Sequence, residues 1–119
     1  MNKKPEEYKD LLPLSPVAFH ILFALADGEK HGYALRKEVE KVTEGAVVIH
    51  IGSLYNQIRR LLKSGLITES NKRPPVDVDD SRRRYYRLTD KGKKALLEEA
   101  DRVRKLVTLL DEKKLFNEI

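Results

Sequence analysis

The chain has no cysteine and no tryptophan, and a single methionine among its 119 residues. Without cysteine, neither a disulfide framework nor a thiolate metal site can form. No apolar run approaches the roughly 18 residues of a membrane-crossing helix. The first residues, Met1-Asn2-Lys3-Lys4-Pro5-Glu6-Glu7, hold no apolar segment of the signal-peptide kind. A cytoplasmic protein with no membrane partner is therefore expected. Gly28, Gly32, Gly45, Gly52 and Gly65 fall at the ends of expected helices and make no phosphate-cradling loop. His20, His31 and His50 are irregularly spaced and make no His-x-x-x-His pair, so neither a metal nor any other cofactor is expected. No nucleophile motif accompanies the serines, and an enzyme is not expected.

What the chain does have is positive charge, concentrated in one place. Residues 1–51 carry 7 Lys/Arg against 8 Asp/Glu, residues 95–119 carry 5 against 6, and residues 52–94 carry 12 against 5. The whole net charge of +5 thus arises in the middle segment. A basic segment of this kind is the electrostatic footprint of a polyanion binder. Taken alone it also fits a solvated surface, so the pattern around it decides.

The pattern is that of a single domain. Residues 1–14 read as an arm that becomes ordered near Leu11. Ser15-Pro16 starts a helix, with Ser15 as cap and Pro16 in the first turn, and Asp27-Gly28 ends it. That helix is apolar nearly all round: Val17, Ile21 and Leu25 form one face, Phe19, Phe23 and Ala26 another. A helix with no polar face is buried on more than one side, which in so short a chain points to a second subunit. His20 is its one strongly polar residue. It reads either as a hydrogen-bonded interface histidine or, with Phe23, as a polar contact for an effector in an apolar pocket.

His31 to about Thr43 is a second helix, with Leu35, Val39 and Val42 expected inward and Arg36, Lys37, Glu40 and Lys41 solvated. Val47 to Ile51 is a short strand or extended link. A third helix follows from Gly52-Ser53, with Leu54, Ile58, Leu61 and Leu62 as its core stripe. At 100° per residue, Asn56, Arg59, Arg60 and Lys63 lie opposite, flanked by Ser53 and Tyr55. Asn and Arg can read base edges bidentately. Gly65 stops the helix, Leu66-Ile67-Thr68 is strand-like, and Arg82 to Leu88 is a second strand. The tip between them holds Pro74-Pro75 and the acidic Asp77, Asp79 and Asp80. A helix followed by a hairpin with a basic edge is how a winged helix presents itself to DNA. Arg82, Arg83, Arg84 and Lys63 are expected on phosphates, which position the protein without specifying sequence.

Thr89 caps the last helix, and Gly92 in its first turn counts slightly against it. Leu96, Ala100, Val103, Val107 and Leu110 form a heptad-like seam about two heptads long. That seam packs either on the first helix or on a second copy of the chain. With Phe19 and Phe23, it makes the expected dimer surface.

Three blocks carry a resemblance. They are His31-Gly32-Tyr33-Ala34-Leu35; Gly52-Ser53-Leu54-Tyr55 leading to Arg60-Leu61-Leu62-Lys63-Ser64-Gly65-Leu66-Ile67; and Arg83-Arg84-Tyr85-Tyr86-Arg87-Leu88-Thr89-Asp90-Lys91-Gly92. In this order and spacing they resemble the PadR family of winged-helix transcriptional regulators, in the form with one carboxy-terminal helix. The resemblance implies a homodimeric repressor in which Ser53, Tyr55 and their neighbours approach DNA and the wing arginines touch phosphates or the minor groove. Tyr33, in the first block, joins that candidate set. The chain departs from the family's usual pattern in having Ser53 for Thr, Ile51 where Pro is common, and Asp80-Ser81-Arg82-Arg83 in the wing. Some members of the family bind flat aromatic effectors against a tryptophan, a mode unavailable to a chain without one.

The expectation is therefore an α+β, mostly α, winged helix-turn-helix. Residues 1–14 form an arm, 15–88 the DNA-binding domain and 89–119 a dimerisation helix. Double-stranded DNA, a second copy of the chain and a small aromatic or hydrophobic effector are its expected partners. The rival is a winged-helix protein-interaction module that binds no DNA.

Overall fold

The computed structural model describes residues 7–71 and 84–115. A short 3-10 helix, Glu7–Leu11, leads into helix α1, Pro16–Leu25. Strand β1, Lys30–His31, runs directly into α2, Gly32–Val42, and a link leads to α3, Ile51–Ser64. Strands β2, Ile67–Glu69, and β3, Tyr85–Leu88, precede the long helix α4, Asp90–Glu112. The three strands form one antiparallel sheet in the order β1-β3-β2. This is the mostly helical winged helix with a long last helix that the sequence pattern predicts.

Local chemistry explains most of the boundaries. Ser15 Oγ accepts the Ala18 N–H at 3.1 Å, with Pro16 opening α1. His31 Nδ1 accepts the Ala34 N–H at 3.1 Å and caps α2. Gly65 ends α3 at φ 80, a left-handed position that suits glycine, and the Leu66 N–H returns to the Leu61 carbonyl at 3.0 Å to close a Schellman turn. The core gathers Ile21 and Leu22 of α1, Leu35 and Val39 of α2, Leu54 and Ile58 of α3, and Leu66, Ile67, Tyr86 and Ala95 beyond them. Each fully buried Leu or Ile contributes about 1.5–3 kcal/mol relative to exposure.

Three details differ from expectation, and a fourth decides between two alternatives. Strand β1 is absent from the sequence reading because two residues carry no period; its pairing of Lys30 with Tyr86 and His31 with Tyr85 comes from β3. Residues 47–50 take the second of the two expected forms, a link without strand pairing, with only Ile49 buried. Val42 is 46% exposed instead of inward, since it lies in the last turn of α2, beyond the core. Arg36 is only partly exposed, because its Nε donates to the Ile49 carbonyl at 2.8 Å and holds the link to α2. The acidic tip, Arg82 and Arg83 lie outside the described residues.

The junction between α3 and α4 is closely packed. Thr89 Oγ accepts the Gly92 N–H at 3.0 Å and donates toward the Gly65 and Leu66 carbonyls, at 2.6 and 3.0 Å. Lys91 Nζ donates to the Ser64 carbonyl at 2.8 Å, at the negative end of α3. A Cβ on Gly92 would lie 1.9 Å from the Leu66 carbonyl oxygen. The glycine that counts against the helix by propensity is thus required by contact.

One buried carboxylate ties the arm to α4. Glu99 is 2% exposed, and Arg102 donates to it through Nε at 3.1 Å and Nη2 at 2.9 Å. The Arg102 hydrogen bond is the main cause holding the Glu99 carboxyl below the ordinary glutamate range; burial opposes it, and the Arg102 charge and the Leu14 backbone N–H assist. A lowered folded-state pKa contributes stability that is present above the unfolded value and lost as pH falls through the folded one. The melting temperature is therefore expected to drop below about pH 4.3, and Glu99→Gln is expected to lower it at pH 7 while flattening that acid limb. Parallel acid limbs in thermal melts of the two proteins would assign the loss to other groups.

Candidate nucleic-acid interface

The exposed face of α3 is built by the stripe on its opposite side. Leu54, Ile58 and Leu61 are buried, which turns Ser53, Asn56, Arg59, Arg60 and Lys63 to solvent. Arg59 Nη2 donates to Asn56 Oδ1 one turn back, so these two form a polar unit that a base edge would meet together. Arg60 and Lys63 extend the positive face toward the end of the helix.

Tyr55 is different. It is only partly exposed and packs against the core, and its hydroxyl would lie 2.9 Å from a Cβ placed on Gly32. Gly32 lets the ring seat against the start of α2, and this contact fixes how α3 lies on α2. Burial is the first cause raising the Tyr86 phenol above its ordinary value, with the Tyr55 phenol and the Glu69 carboxylate next. Tyr86 accordingly stays neutral within the core.

Two further elements border this face. Tyr33 is exposed on α2, and Lys37 Nζ stands 5.3 Å from its ring centroid, within cation–π range. Charge alone marks Lys37 as solvated; its i, i+4 spacing from Tyr33 is the sequence signal for this contact. Immediately before β3, Arg84 Nη1 lies 2.9 Å from Glu69 Oε2 of β2, so this arginine is shared with a strand carboxylate rather than free for phosphate. The pair is half-exposed, and such pairs contribute little to stability.

The candidate dimer residues divide into two groups. Leu96 belongs to the chain's own core, which corrects its place in the dimer seam: the first turns of α4 pack on α1 and the sheet. Ala100, Val107 and Leu110 are exposed and Val103 is partly so. Leu97, Leu106 and Leu109 widen the exposed apolar surface of α4. On α1, Phe23 is 48% exposed and Phe19 is half-buried. His20 Nδ1 lies 2.6 Å from the Pro16 carbonyl, which can only accept, so Nδ1 carries a proton and donates it. The Phe19 ring stands edge-on to it at 6.2 Å.

Among the described residues, no three His, Asp or Glu side chains converge as a metal site, and no helix is long and apolar enough to cross a membrane.

Residues 21–98 match the model of the transcriptional regulator PadR-like family. The chain is 35% identical over 83 residues to the transcriptional regulator Rv3488 of Mycobacterium tuberculosis, a match covering 70% of this chain and 71% of that one. A PadR family transcription regulator from Clostridium difficile R20291 shares the fold at a TM-score of 0.69 and 22% identity, covering 82% of this chain and 97% of that one. Bacillus subtilis PadR, solved in complex with operator DNA, matches at a TM-score of 0.60 and 23% identity over 71% of this chain and 46% of that one.

Proposed function

From the chain's membership of the PadR-like family of transcriptional regulators, we propose that it is a repressor that reads a pseudo-palindromic operator as a homodimer. The observation that carries this reading is the exposed face of α3. Its Asn56–Arg59 unit, Arg60 and Lys63 occupy the second helix of a helix-turn-helix, the element that enters the major groove. Two such helices related by a two-fold axis meet successive grooves about 34 Å apart. Tyr33 and Lys37 on α2 suit the flanking backbone, as does Arg84 beside the wing strand. Arg84 reaches phosphate by leaving Glu69, an exchange that costs little in an exposed pair. Ser53 and Asn56 face the groove, whereas Tyr55 acts by seating α3.

The uncovered apolar surfaces of α1 and α4 support the dimer. Phe19 and Phe23 on the first helix and Ala100, Val103, Val107 and Leu110 on the last form one side of a self-complementary interface. The same seam, with His20 one turn from Phe23, suits a small aromatic or hydrophobic effector that alters how the two protomers sit.

Arg60→Ala is expected to weaken binding to the operator by about 1–3 kcal/mol, the cost of one lost bidentate base contact, with nonspecific affinity little changed. Anisotropy on specific and scrambled duplexes measures the ratio. An unaltered ratio would move Arg60 from base reading to the surface.

A further inference from the structure

The bond between Arg59 and Asn56 decides what each side chain can offer a base. A guanidinium carries N–H donors and no acceptor. The Asn56 atom that meets it is accordingly the amide oxygen, with Arg59 Nη2 donating to Asn56 Oδ1. That oxygen is the only acceptor atom on the asparagine side chain. With it engaged, the pair presents donors to solvent: the Nη1 hydrogens and the second Nη2 hydrogen of Arg59, and the amide hydrogens of Asn56. Both residues are exposed.

The pair also lies where a base edge would come closest. At about 100° per residue, Gly52, Asn56 and Lys63 fall close to the line opposite buried Leu54, Ile58 and Leu61. Arg59 and Arg60 stand on either side of that line. The bond to Asn56 draws the Arg59 guanidinium back to it and toward the amino end of α3, the end of a recognition helix that meets base edges. Gly52, one turn before Asn56, has no side chain, and no atom lies within 4 Å of where its Cβ would stand. The approach to the pair is open.

In the major groove, guanine alone offers two acceptors side by side, N7 and O6. Adenine offers an acceptor beside a donor, and an amide that reads it bidentately needs the oxygen that Arg59 occupies. We propose that Arg59 reads a guanine in each operator half-site and that Asn56 is the positioning residue that orients its guanidinium, rather than an adenine reader. A phosphate is the competing partner for the same donors. The place of the pair on the central line of the face favours the groove floor over the phosphate walls. The proposal rests on α3 being the base-reading helix.

The test begins with selection of bound duplexes from a randomised pool by the full chain. Each guanine of the selected site is then replaced singly by 7-deazaguanine, which pairs identically and lacks the N7 acceptor. At one guanine per half-site the affinity is expected to fall about fivefold, the lower end of what one bidentate base contact is worth. Arg59→Ala is expected to bind the parent and deaza duplexes equally. Asn56→Ala is expected to lose most of the same sensitivity while melting at the parent temperature and keeping the parent's salt slope on scrambled DNA. Asn56→Asp, which keeps an acceptor for Arg59, is expected to retain the sensitivity at lower overall affinity. A site with no deaza-sensitive guanine, or full sensitivity retained by Arg59→Ala, overturns the proposal. An Arg59→Ala protein weakened equally on all sequences, with a salt slope smaller by about one, would place Arg59 on phosphate instead. Sensitivity to 7-deazaadenine that Asn56→Ala removes would make Asn56 an adenine reader and overturn its positioning role. A pool that yields no enriched sequence overturns the base-reading function itself and takes the proposal with it.

Discussion

Replacing Gly92 with alanine is expected to destabilise the protein by about 3 kcal/mol or more, at the upper end of the usual cost of overpacking. In a domain of this size that corresponds to a fall in melting temperature of roughly 10–20 °C. The reason is contact and not backbone conformation. The new Cβ would stand 1.9 Å from the Leu66 carbonyl oxygen and 2.9 Å from a methyl of Leu88. A side-chain tip could move aside; the Leu66 carbonyl cannot, because it already accepts the Thr89 N–H at 3.1 Å and the Thr89 hydroxyl. Relief requires α4 to lift from the end of α3. Since this junction sets the angle between α3 and α4, a folded remnant is expected to lose operator affinity as well. Denaturant titration checks the first effect. A Gly92→Ala protein as stable as its parent would mean that α4 can be displaced at little cost.

Val107→Glu is expected to act in the opposite manner, leaving the protomer intact and abolishing the dimer. Val107 is 50% exposed and lies where every neighbour from Arg104 to Glu112 is also exposed, so the protomer's own packing does not need it. Burying a carboxylate without a partner at a two-fold interface costs several kcal/mol, twice per dimer. Light scattering is expected to give 13.8 kDa for the variant and twice that for the parent. Operator affinity is expected to fall by at least about 100-fold, because two linked half-sites become two separate ones. A parent that is already a monomer would refute the dimer, and a variant that remains dimeric would place the interface away from this part of α4.

The helices were legible where a cap and a buried stripe coincide. Ser15-Pro16, the Leu54–Ile58–Leu61 spacing and Thr89 each state a boundary or a face by themselves. Strand β1 was not legible, since two residues take their conformation from a partner strand more than fifty positions away. The need for Gly92 is not legible for a related reason: helix propensity is local, whereas the atom that forbids a side chain there belongs to Leu66. Leu96 shares the seam's period with Val107, yet period alone does not say where along a helix the chain's own core ends. The basic face of α3 was readable from charge and spacing. That Tyr55 is held by Gly32, and that Arg84 is shared with Glu69, required the positions of other elements.

The most direct test of the central claim is fluorescence anisotropy of the intact protein on its selected operator and on a scrambled duplex, each titrated with salt. The account predicts tighter binding to the operator by at least about a thousandfold, with log K falling linearly and steeply against log salt on both duplexes. Equal affinity for the two duplexes would contradict it, because the exposed face of α3 would then be holding DNA without reading it.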